Sequence, residues 1–197
     1  KDHLGDSSGI CWWQGDLSNQ DAAENIVHSI QPEYIFHLAG YVKGSRALEH
    51  VVPAFTDILY STVNILTAAA DVGCKRIVLS GSLEEPGGEN LSEIPSSPYA
   101  IARWSASAYA RMFHALYGTP VTIARIFMVY GPGHQDLQKL IPYVILSLLQ
   151  GKTPTLSSGK RQIDWIYVED VARGLLALAS RDKLGGQTID IGSGSLI

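Results

Sequence analysis

Short apolar runs alternate along the chain with longer stretches in which apolar residues recur every third or fourth position. The short runs predict strands, which we place at 10–14, 34–38, 76–79, 121–125 and 188–191. The longer stretches predict helices, which we place after Ser18 and over 53–72, 99–117, 137–150 and 168–180. Strands that alternate with helices are typical of parallel βαβ units. The pattern therefore predicts a doubly wound α/β fold around a parallel sheet.

The start of the first helix carries a cap signal and an apolar stripe. Ser18 and Asp21 have the spacing of a capping box, in which each side chain accepts a hydrogen bond from the other residue's backbone N–H. Ala22, Ile26 and Ile30 recur every fourth residue, so we expect them to form the buried side of this helix.

Composition narrows the class of protein. The chain has 197 residues, of which 46% are hydrophobic and 17% are charged, and this balance is typical of a folded domain. A net charge of -4 gives no basis for binding nucleic acid or an anionic membrane. No apolar run approaches the roughly 20 residues that a membrane-spanning helix needs, so we expect no membrane segment.

Cysteine and histidine usage indicates neither a disulfide framework nor a metal site. Cys11 and Cys74 are the two cysteines of the chain, and they are isolated from each other in sequence. The histidines show no spacing typical of metal ligands. We therefore predict no bound metal and a reducing, cytoplasmic compartment.

A serine, a tyrosine and a cation carry the chemical signal. Ser82 follows a predicted strand, and Tyr99 opens a predicted helix with Arg103 four residues later. Positions i and i+4 lie on one side of a helix, so Tyr99 and Arg103 point the same way. A free phenol has a pKa of about 10, and a fixed positive charge nearby lowers the pKa of such a group. The pattern predicts proton transfer by Tyr99 to an oxygen that Ser82 holds, although Ser82 also suits a simple strand end.

Five further segments stand around this trio in a fixed order. They cover 15–17, 37–40, 64–69, 125–133 and 164–171. Together with the serine and tyrosine motifs, they resemble the extended short-chain dehydrogenase/reductases, or NAD-dependent epimerase/dehydratases, from about residue 14 to 194. The resemblance implies an incomplete Rossmann-like sheet over 1–134, and return elements with the start of a small substrate lobe over 135–197.

The resemblance also implies ligands and site residues. It implies NAD or NADP as cofactor and a nucleotide sugar as substrate, with Tyr99, Ser82 and Arg103 as the catalytic residues. Cofactor contacts are expected at Asp16, Leu17, Leu38, Ala39, Gly40, Ser80, Tyr99 and Arg103. Substrate contacts are expected at Ser82, Glu84, Met128 and Arg161. For Asp16 a turn role is an open alternative, and for Arg161 a solvated surface charge.

Four positions depart from the family pattern. Arg103 stands where the family has lysine, and Ile58 and Met128 stand where it has asparagine. The arginine expected just before Asp164 is Ile163, although Arg161 lies two residues earlier. These departures leave open a second hypothesis, in which the chain is a non-catalytic remnant or an NAD(P)-responsive binding module of the same fold.

The glycine-rich turn that holds the cofactor pyrophosphate in this family is missing from the sequence. We therefore expect residues 1–197 alone to bind NAD(P)(H) weakly or not at all. The Gly192-Ser193-Gly194 segment follows a predicted strand but lacks the third glycine of a dinucleotide fingerprint. The choice between NAD and NADP also stays open, because the strand that decides it is not in the sequence.

The residues after Ser82 favour one reaction outcome. The family's dehydratases carry Asp-Glu directly after the serine or threonine, whereas this chain has Leu83-Glu84. An epimerase or a ketoreductase is therefore predicted ahead of a 4,6-dehydratase. The segment 84–98 is rich in polar residues, glycine and proline and predicts a loop over the sheet edge.

Two helices carry more apolar surface than one buried side requires. On the helix at 99–117, Trp104, Ala108, Met112 and Ala115 form one predicted stripe, and Tyr109, Phe113 and Leu116 form another. We predict a homodimer through this helix and the one at 53–72, as the resemblance also implies. The alternative is that a preceding unit of the same protein covers the second stripe.

Overall fold

The computed structural model describes residues 3–5, 9–86, 94–133, 136–156 and 159–197, with side chains from residue 9 onward. The strands are β1 His3–Gly5, β2 Cys11–Trp13, β3 Tyr34–His37, β4 Arg76–Ser82, β5 Val121–Ile126, β6 Met128–Tyr130, β7 Trp165–Tyr167 and β8 Thr188–Ile191. The α-helices are α1 Gln20–Ile30, α2 Val51–Ala54, α3 Ser61–Val72, α4 Pro98–Tyr117, α5 Leu140–Leu149 and α6 Val168–Ser180.

The main sheet has the order β3-β4-β5-β8, and all of its strands are parallel. Alternate residues of β4 face opposite helices, as the two-residue period of a strand requires. Ile77 and Leu79 pack against α3 and α4, whereas Val78 packs against α6. Helices therefore cover both faces, which confirms the predicted doubly wound α/β fold.

The predicted cap and stripe of α1 are each wrong by one residue. Asn19 is the N-cap, and its side chain accepts a hydrogen bond from the Ala22 backbone N–H at 2.9 Å. Ala23 and Val27 are the buried residues of α1, while Ile30 is exposed. Which side of α1 is buried depends on the angle at which α1 packs against α3. The helix period alone does not determine that side.

Several strand bounds differ from the predictions. β4 continues through Gly81 to Ser82, and the whole strand is buried. Pairing with β5 extends it, since Ser82 lies opposite Ile126. The structure also has two small sheets, antiparallel β1–β2 and parallel β6–β7. Of their four strands, only β2 was predicted, as the strand at 10–14. Their three-residue strands are too short to leave a clear pattern.

The helix predicted over 53–72 begins earlier and is irregular. A 3-10 turn at Leu48–His50 leads into α2, and a π-helical stretch at Phe55–Tyr60 joins α2 to α3. By length and composition only, Leu48–Val72 is long and apolar enough to cross a membrane, contrary to the sequence-based expectation. In the fold, however, α3 packs between α1 and α4, as a core helix does.

The buried side of α4 also differs from both predicted stripes. It consists of Ala100, Ala102, Arg103, Ala106, Ser107, Ala110 and Phe113. Phe113 lies in the core with Leu66 and Val121, so it is not an interface residue. Small residues on this side let α4 approach the sheet closely, a feature that apolar periodicity does not detect.

Residues after β5 connect the main sheet to the second small sheet and return to it. α5 begins at Leu140, three residues later than predicted, and has no buried residue among those described. α6 and β8 occupy their predicted bounds. The predicted boundary at 134/135 lies outside the described residues, and the division into two parts stays a prediction.

The turn after β8 binds a carboxylate of the chain itself. Asp164 accepts hydrogen bonds from the Ser193 backbone N–H at 2.7 Å and the Gly194 backbone N–H at 2.9 Å. Burial raises the pKa of Asp164. These two bonds and a third from the Ser193 hydroxyl lower it by a larger amount, so the pKa of Asp164 falls below its usual value. The Gly192-Ser193-Gly194 segment is therefore occupied by Asp164, in agreement with the prediction that it is no dinucleotide fingerprint.

Candidate active site

The carboxyl end of β4 projects beyond its neighbour. β3 pairs with β4 only as far as His37 opposite Leu79, whereas β4 continues for three more residues. Ser82 is the last of these and is buried, and its hydroxyl accepts a hydrogen bond from the Glu84 backbone N–H at 3.2 Å. This contact leaves the hydroxyl hydrogen of Ser82 available to a group in the cleft.

The first turn of α4 places Tyr99 beside this strand end. Ser97 is the N-cap, and its hydroxyl accepts a hydrogen bond from the Ala100 backbone N–H at 3.1 Å. Pro98 suits the first helical position, where no backbone N–H is needed. Tyr99 is half-buried, and Arg103 follows one turn later on the same side of α4.

Arg103 lies beneath the tyrosine and bonds to the protein. Its Nη1 donates to the carbonyl oxygen and to the hydroxyl of Ser80, both at 2.8 Å. Its guanidinium carbon is 5.5 Å from the centre of the Tyr99 ring, within the range of a cation–π contact. A Cβ atom at Gly40 would lie 3.1 Å from Nη2, and Gly40 has φ +144, so a side chain there would be both strained and crowded.

A buried polar chain continues from Arg103 under the strand ends. The Ser80 hydroxyl donates to the His37 carbonyl oxygen at 3.1 Å, and the His37 ring bonds the Thr62 hydroxyl at 3.1 Å. Thr62 in turn donates to the Ile58 carbonyl oxygen at 2.6 Å. Burial, and then the charge of Arg103, lower the pKa of His37 to about 4. His37 is thus a neutral, hydrogen-bonded core histidine at physiological pH.

These elements enclose one cleft of about 540 Å³ at the carboxyl edge of the sheet. Seven of the residues predicted for the site line it: Leu38, Ser80, Ser82, Glu84, Tyr99, Arg103 and Met128. Gly40 lies behind Arg103, and Ala39 is exposed next to Leu38. The structure therefore brings the serine, the tyrosine and the cation to a single cavity.

Three predicted site residues lie elsewhere. Asp16 is exposed, and its carboxylate accepts bonds from the hydroxyl and the backbone N–H of Ser18, which lower its pKa. Leu17 packs against the α1–α3 cluster, and its carbonyl oxygen accepts a bond from Asn64. Arg161 is exposed and is not among the described residues that line the cleft. The geometry of Asp16 matches the turn role that the sequence left open.

Other cleft residues had no clear signal in the sequence. Lys139, Leu140 and Trp165 line the cleft. Lys139 is the N-cap of α5 in the structure, whereas the apolar pattern started this helix at 137 and gave no such signal. Glu85 is buried and accepts a hydrogen bond from the Ser82 backbone N–H. It was not singled out from the sequence, although it lies three residues after Ser82. Within the described ranges, no group of three or more His, Cys, Asp or Glu residues is arranged to hold a metal ion.

The chain is similar in sequence to curated nucleotide-sugar enzymes. The chain is 27% identical over 195 residues to UDP-glucuronate 4-epimerase of Thermodesulfobacterium geofontis, which covers 95% of this chain and 60% of that protein. It is 29% identical over 216 residues to dTDP-glucose 4,6-dehydratase 1 of Escherichia coli, covering 96% and 59%. The chain thus spans about three fifths of the length of these relatives.

A solved structure with a similar fold is also that of a nucleotide-sugar epimerase. UDP-glucuronic acid 4-epimerase from Bacillus cereus, in complex with UDP-glucuronic acid and NAD, superposes with a TM-score of 0.79 at 26% identity. The match covers 93% of this chain and 60% of that one. The model of the NAD dependent epimerase/dehydratase family matches residues 1–192. On its fold, its cleft and this match, the chain belongs to the NAD-dependent epimerase/dehydratase family.

Proposed function

We propose that the protein containing this chain is an NAD(P)-dependent epimerase or ketoreductase that acts on a nucleotide sugar. The observation that carries the proposal is the convergence of Ser82, Tyr99 and Arg103 on one cleft. UDP-glucuronate 4-epimerase and dTDP-glucose 4,6-dehydratase, the relatives named above, act on nucleotide sugars by their names. We extend that substrate class to this protein.

The described residues suit the nicotinamide end of the cofactor. Leu38 is half exposed at the end of β3, and it leaves an apolar surface beside Tyr99 in the cleft. Among the described helices, α1 begins at a turn that Asp16 and Asn19 occupy. We therefore assign Leu38, Ala39 and Tyr99 to the nicotinamide end and no described residue to the pyrophosphate.

Proton transfer is the task of this chain's own side chains. The bound cofactor supplies hydride transfer at the sugar carbon. Tyr99 exchanges a proton with the oxygen on that carbon, and the Ser82 hydroxyl donates a hydrogen bond to the same oxygen. The Arg103 guanidinium stabilises negative charge on Tyr99 from below the ring, at 5.5 Å from its centre.

The residue after Ser82 separates the possible outcomes. Leu83 lies in the wall of the cleft, where the family's dehydratases have an aspartate. Leucine has no proton to exchange, so elimination of water from the sugar lacks one of its two carboxyl groups. Epimerisation or ketone reduction needs no such carboxyl pair beside Tyr99 and Ser82, and we favour these reactions.

Two observations favour a second candidate, a non-catalytic binding module. Arg103 is bonded to Ser80, so its charge is committed to the protein rather than to a ligand. Ile58 is fully buried where the family has asparagine, and it offers only its backbone carbonyl oxygen to Thr62. In such a module the cleft would bind its ligands without turnover.

Turnover by the full-length protein distinguishes the two candidates. The protein is incubated with NAD or NADP and with UDP- and dTDP-linked hexoses and hexuronic acids, and the sugars are analysed by NMR. We expect a change of configuration at one ring carbon, or reduction of a keto-sugar at the expense of NAD(P)H. Binding of both ligands by calorimetry without any product would instead support the binding module.

We also propose that the protein is a homodimer through α4 and the helical stretch 48–72. Phe55 is 53% exposed, and Ile101 and Tyr109 are each 41% exposed. A groove of about 620 Å³ separates the two helical segments, and Phe55, Leu59 and Ile101 line it. A two-fold axis would place the same apolar surface of each copy against the other.

We further propose a cytoplasmic location, since Cys11 and Cys74 are free thiols.

The double substitution Ile101→Glu and Tyr109→Glu is expected to convert the full-length dimer to monomer. It would place two unpaired charges per copy in an apolar contact. Sedimentation velocity at tens of micromolar protein measures the change. Leu176→Glu is the matched control, because Leu176 is 63% exposed on α6, away from both helices. A wild-type monomer, or a dimer that survives both substitutions, would reject the interface.

A further inference from the structure

Glu85 is a buried carboxylate directly behind the cleft. Its side chain is 8% exposed, although glutamate is almost never buried in proteins without a partner. It lies in the turn that follows β4, one residue beyond Glu84, and neither the Ser/Tyr chemistry nor the family resemblance uses it. The burial therefore calls for a structural reason in the groups around it.

The first partner of Glu85 is the backbone of Ser82. The pairing of β4 with β3 ends at Leu79, three residues before Ser82. On the β3 side of the sheet, the Ser82 N–H therefore has no strand partner. Glu85 Oε1 accepts that N–H at 2.7 Å, and the Glu85 N–H donates to the Ser82 carbonyl oxygen at 3.1 Å. These two bonds close the turn and fix both backbone groups of Ser82.

The missing side chain of Gly81 makes room for this carboxylate. A Cβ atom at Gly81 would lie 2.7 Å from Glu85 Oε1 and 3.0 Å from Ile123 Cγ2. The first distance is too short and the second is tight, so a side chain at Gly81 would displace the carboxylate and press on the Ile123 side chain. Glycine at this position of β4 and glutamate four residues later thus belong to one arrangement.

Glu85 also lies near a charge on the adjacent strand. Arg125 lies opposite Gly81 in β5, and Asp190 of β8 binds it through two bonds of 2.6 and 2.9 Å. The pKa of Arg125 is raised chiefly by Asp190, against the effect of burial, and Glu85 adds to this rise. Glu85 and Arg125 also line the same small cavity next to the cleft. Glu85 thus lies near a cation whose own ion pair is with Asp190.

We propose that Glu85 is a positioning residue, which holds the Ser82 backbone so that the serine hydroxyl faces the cleft. The Ser82 hydroxyl accepts the Glu84 N–H within the same turn, so the turn fixes the hydroxyl oxygen as well as the backbone. The consequence for catalysis rests on the proposed function, whereas the effect on the Ser82 backbone does not.

Amide hydrogen exchange of the full-length protein tests the backbone part alone. Glu85→Leu removes the acceptor, and Glu85→Asp shortens its reach by one methylene, so we expect faster exchange of the Ser82 N–H in both. Glu85→Gln keeps a carbonyl acceptor at the same reach and should retain the wild-type exchange rate. Equal exchange in the wild type and all three variants would overturn the proposal, and the aspartate variant decides the matter if the leucine variant does not fold.

Steady-state kinetics test the catalytic part. We expect Glu85→Leu to lower kcat by up to about 100-fold with little change in KM, because it misplaces a hydroxyl that acts at the transition state. In a Ser82→Ala background the same substitution should cause no further loss, since its effect passes through Ser82. An equal loss in both backgrounds would overturn the positioning role. A wild-type protein without turnover would overturn the proposed function, and the exchange measurement would still decide the role of Glu85.

Discussion

Replacement of Tyr99 by phenylalanine is expected to lower kcat of the full-length enzyme by roughly 100- to 10,000-fold, the usual cost of removing a positioned acid or base. Phenylalanine keeps the ring that lies 5.5 Å from the Arg103 guanidinium carbon and removes only the hydroxyl group, with its exchangeable proton. The loss should therefore appear in kcat, while the dissociation constants of cofactor and sugar and the melting temperature change little. Steady-state kinetics, calorimetry and thermal unfolding measure these quantities.

Tyr109→Phe is the matched control for this experiment. Tyr109 lies on the same helix, is 41% exposed and is not among the described residues that line the cleft. Its substitution should leave kcat unchanged. If Tyr99→Phe and wild-type enzyme turn over equally fast, Tyr99 is not the acid/base and the cleft performs another task.

Arg103→Met is expected to lower kcat on the order of 100-fold, as removal of a fixed electrostatic contact at a reacting group does. It should also destabilise the fold by about 1–3 kcal/mol, because the Ser80 carbonyl oxygen loses its buried donor. Arg103→Lys should instead keep or raise the rate, since lysine retains the charge and is the residue of the family pattern. Kinetics and chemical unfolding of both variants separate the charge from the packing.

Arg111→Met controls for the loss of an arginine from α4, because Arg111 is exposed on that helix. It should change neither the rate nor the free energy of unfolding by much. If Arg103→Met retains the wild-type rate, the guanidinium has only a structural role. If Arg103→Lys loses as much activity as the methionine variant, the planar guanidinium and not its charge is required.

The fold was predictable to the level of its element order. Buried parallel strands are short apolar runs, and the runs in β4 and β5 were visible for that reason. The end of β4 was not predictable, because Ser80, Gly81 and Ser82 are small and polar and belong to the strand only through pairing with β5. Ser82, which we expected at a strand end, is the last residue of this longer strand.

Helix sides were less predictable than helix positions. The apolar pattern of α4 predicted an interface role for Phe113, but the fold places this residue in the core. Ala106 and Ala110 form the contact side of α4, and alanine carries little signal because it suits buried and exposed helix positions alike. Which side of a helix is buried depends on the neighbours it meets, and those are distant in sequence.

For the candidate site, the sequence by itself determined the residue types and their spacing. The i, i+4 relation of Tyr99 and Arg103 is a property of any α-helix, so one turn of α4 was enough to predict that they share a side. Only the tertiary structure decided what they touch. Arg103 bonds Ser80, Asp16 binds Ser18 at a turn, and Glu85 holds Ser82, because each partner is set by how strand ends, turns and helix starts meet in space.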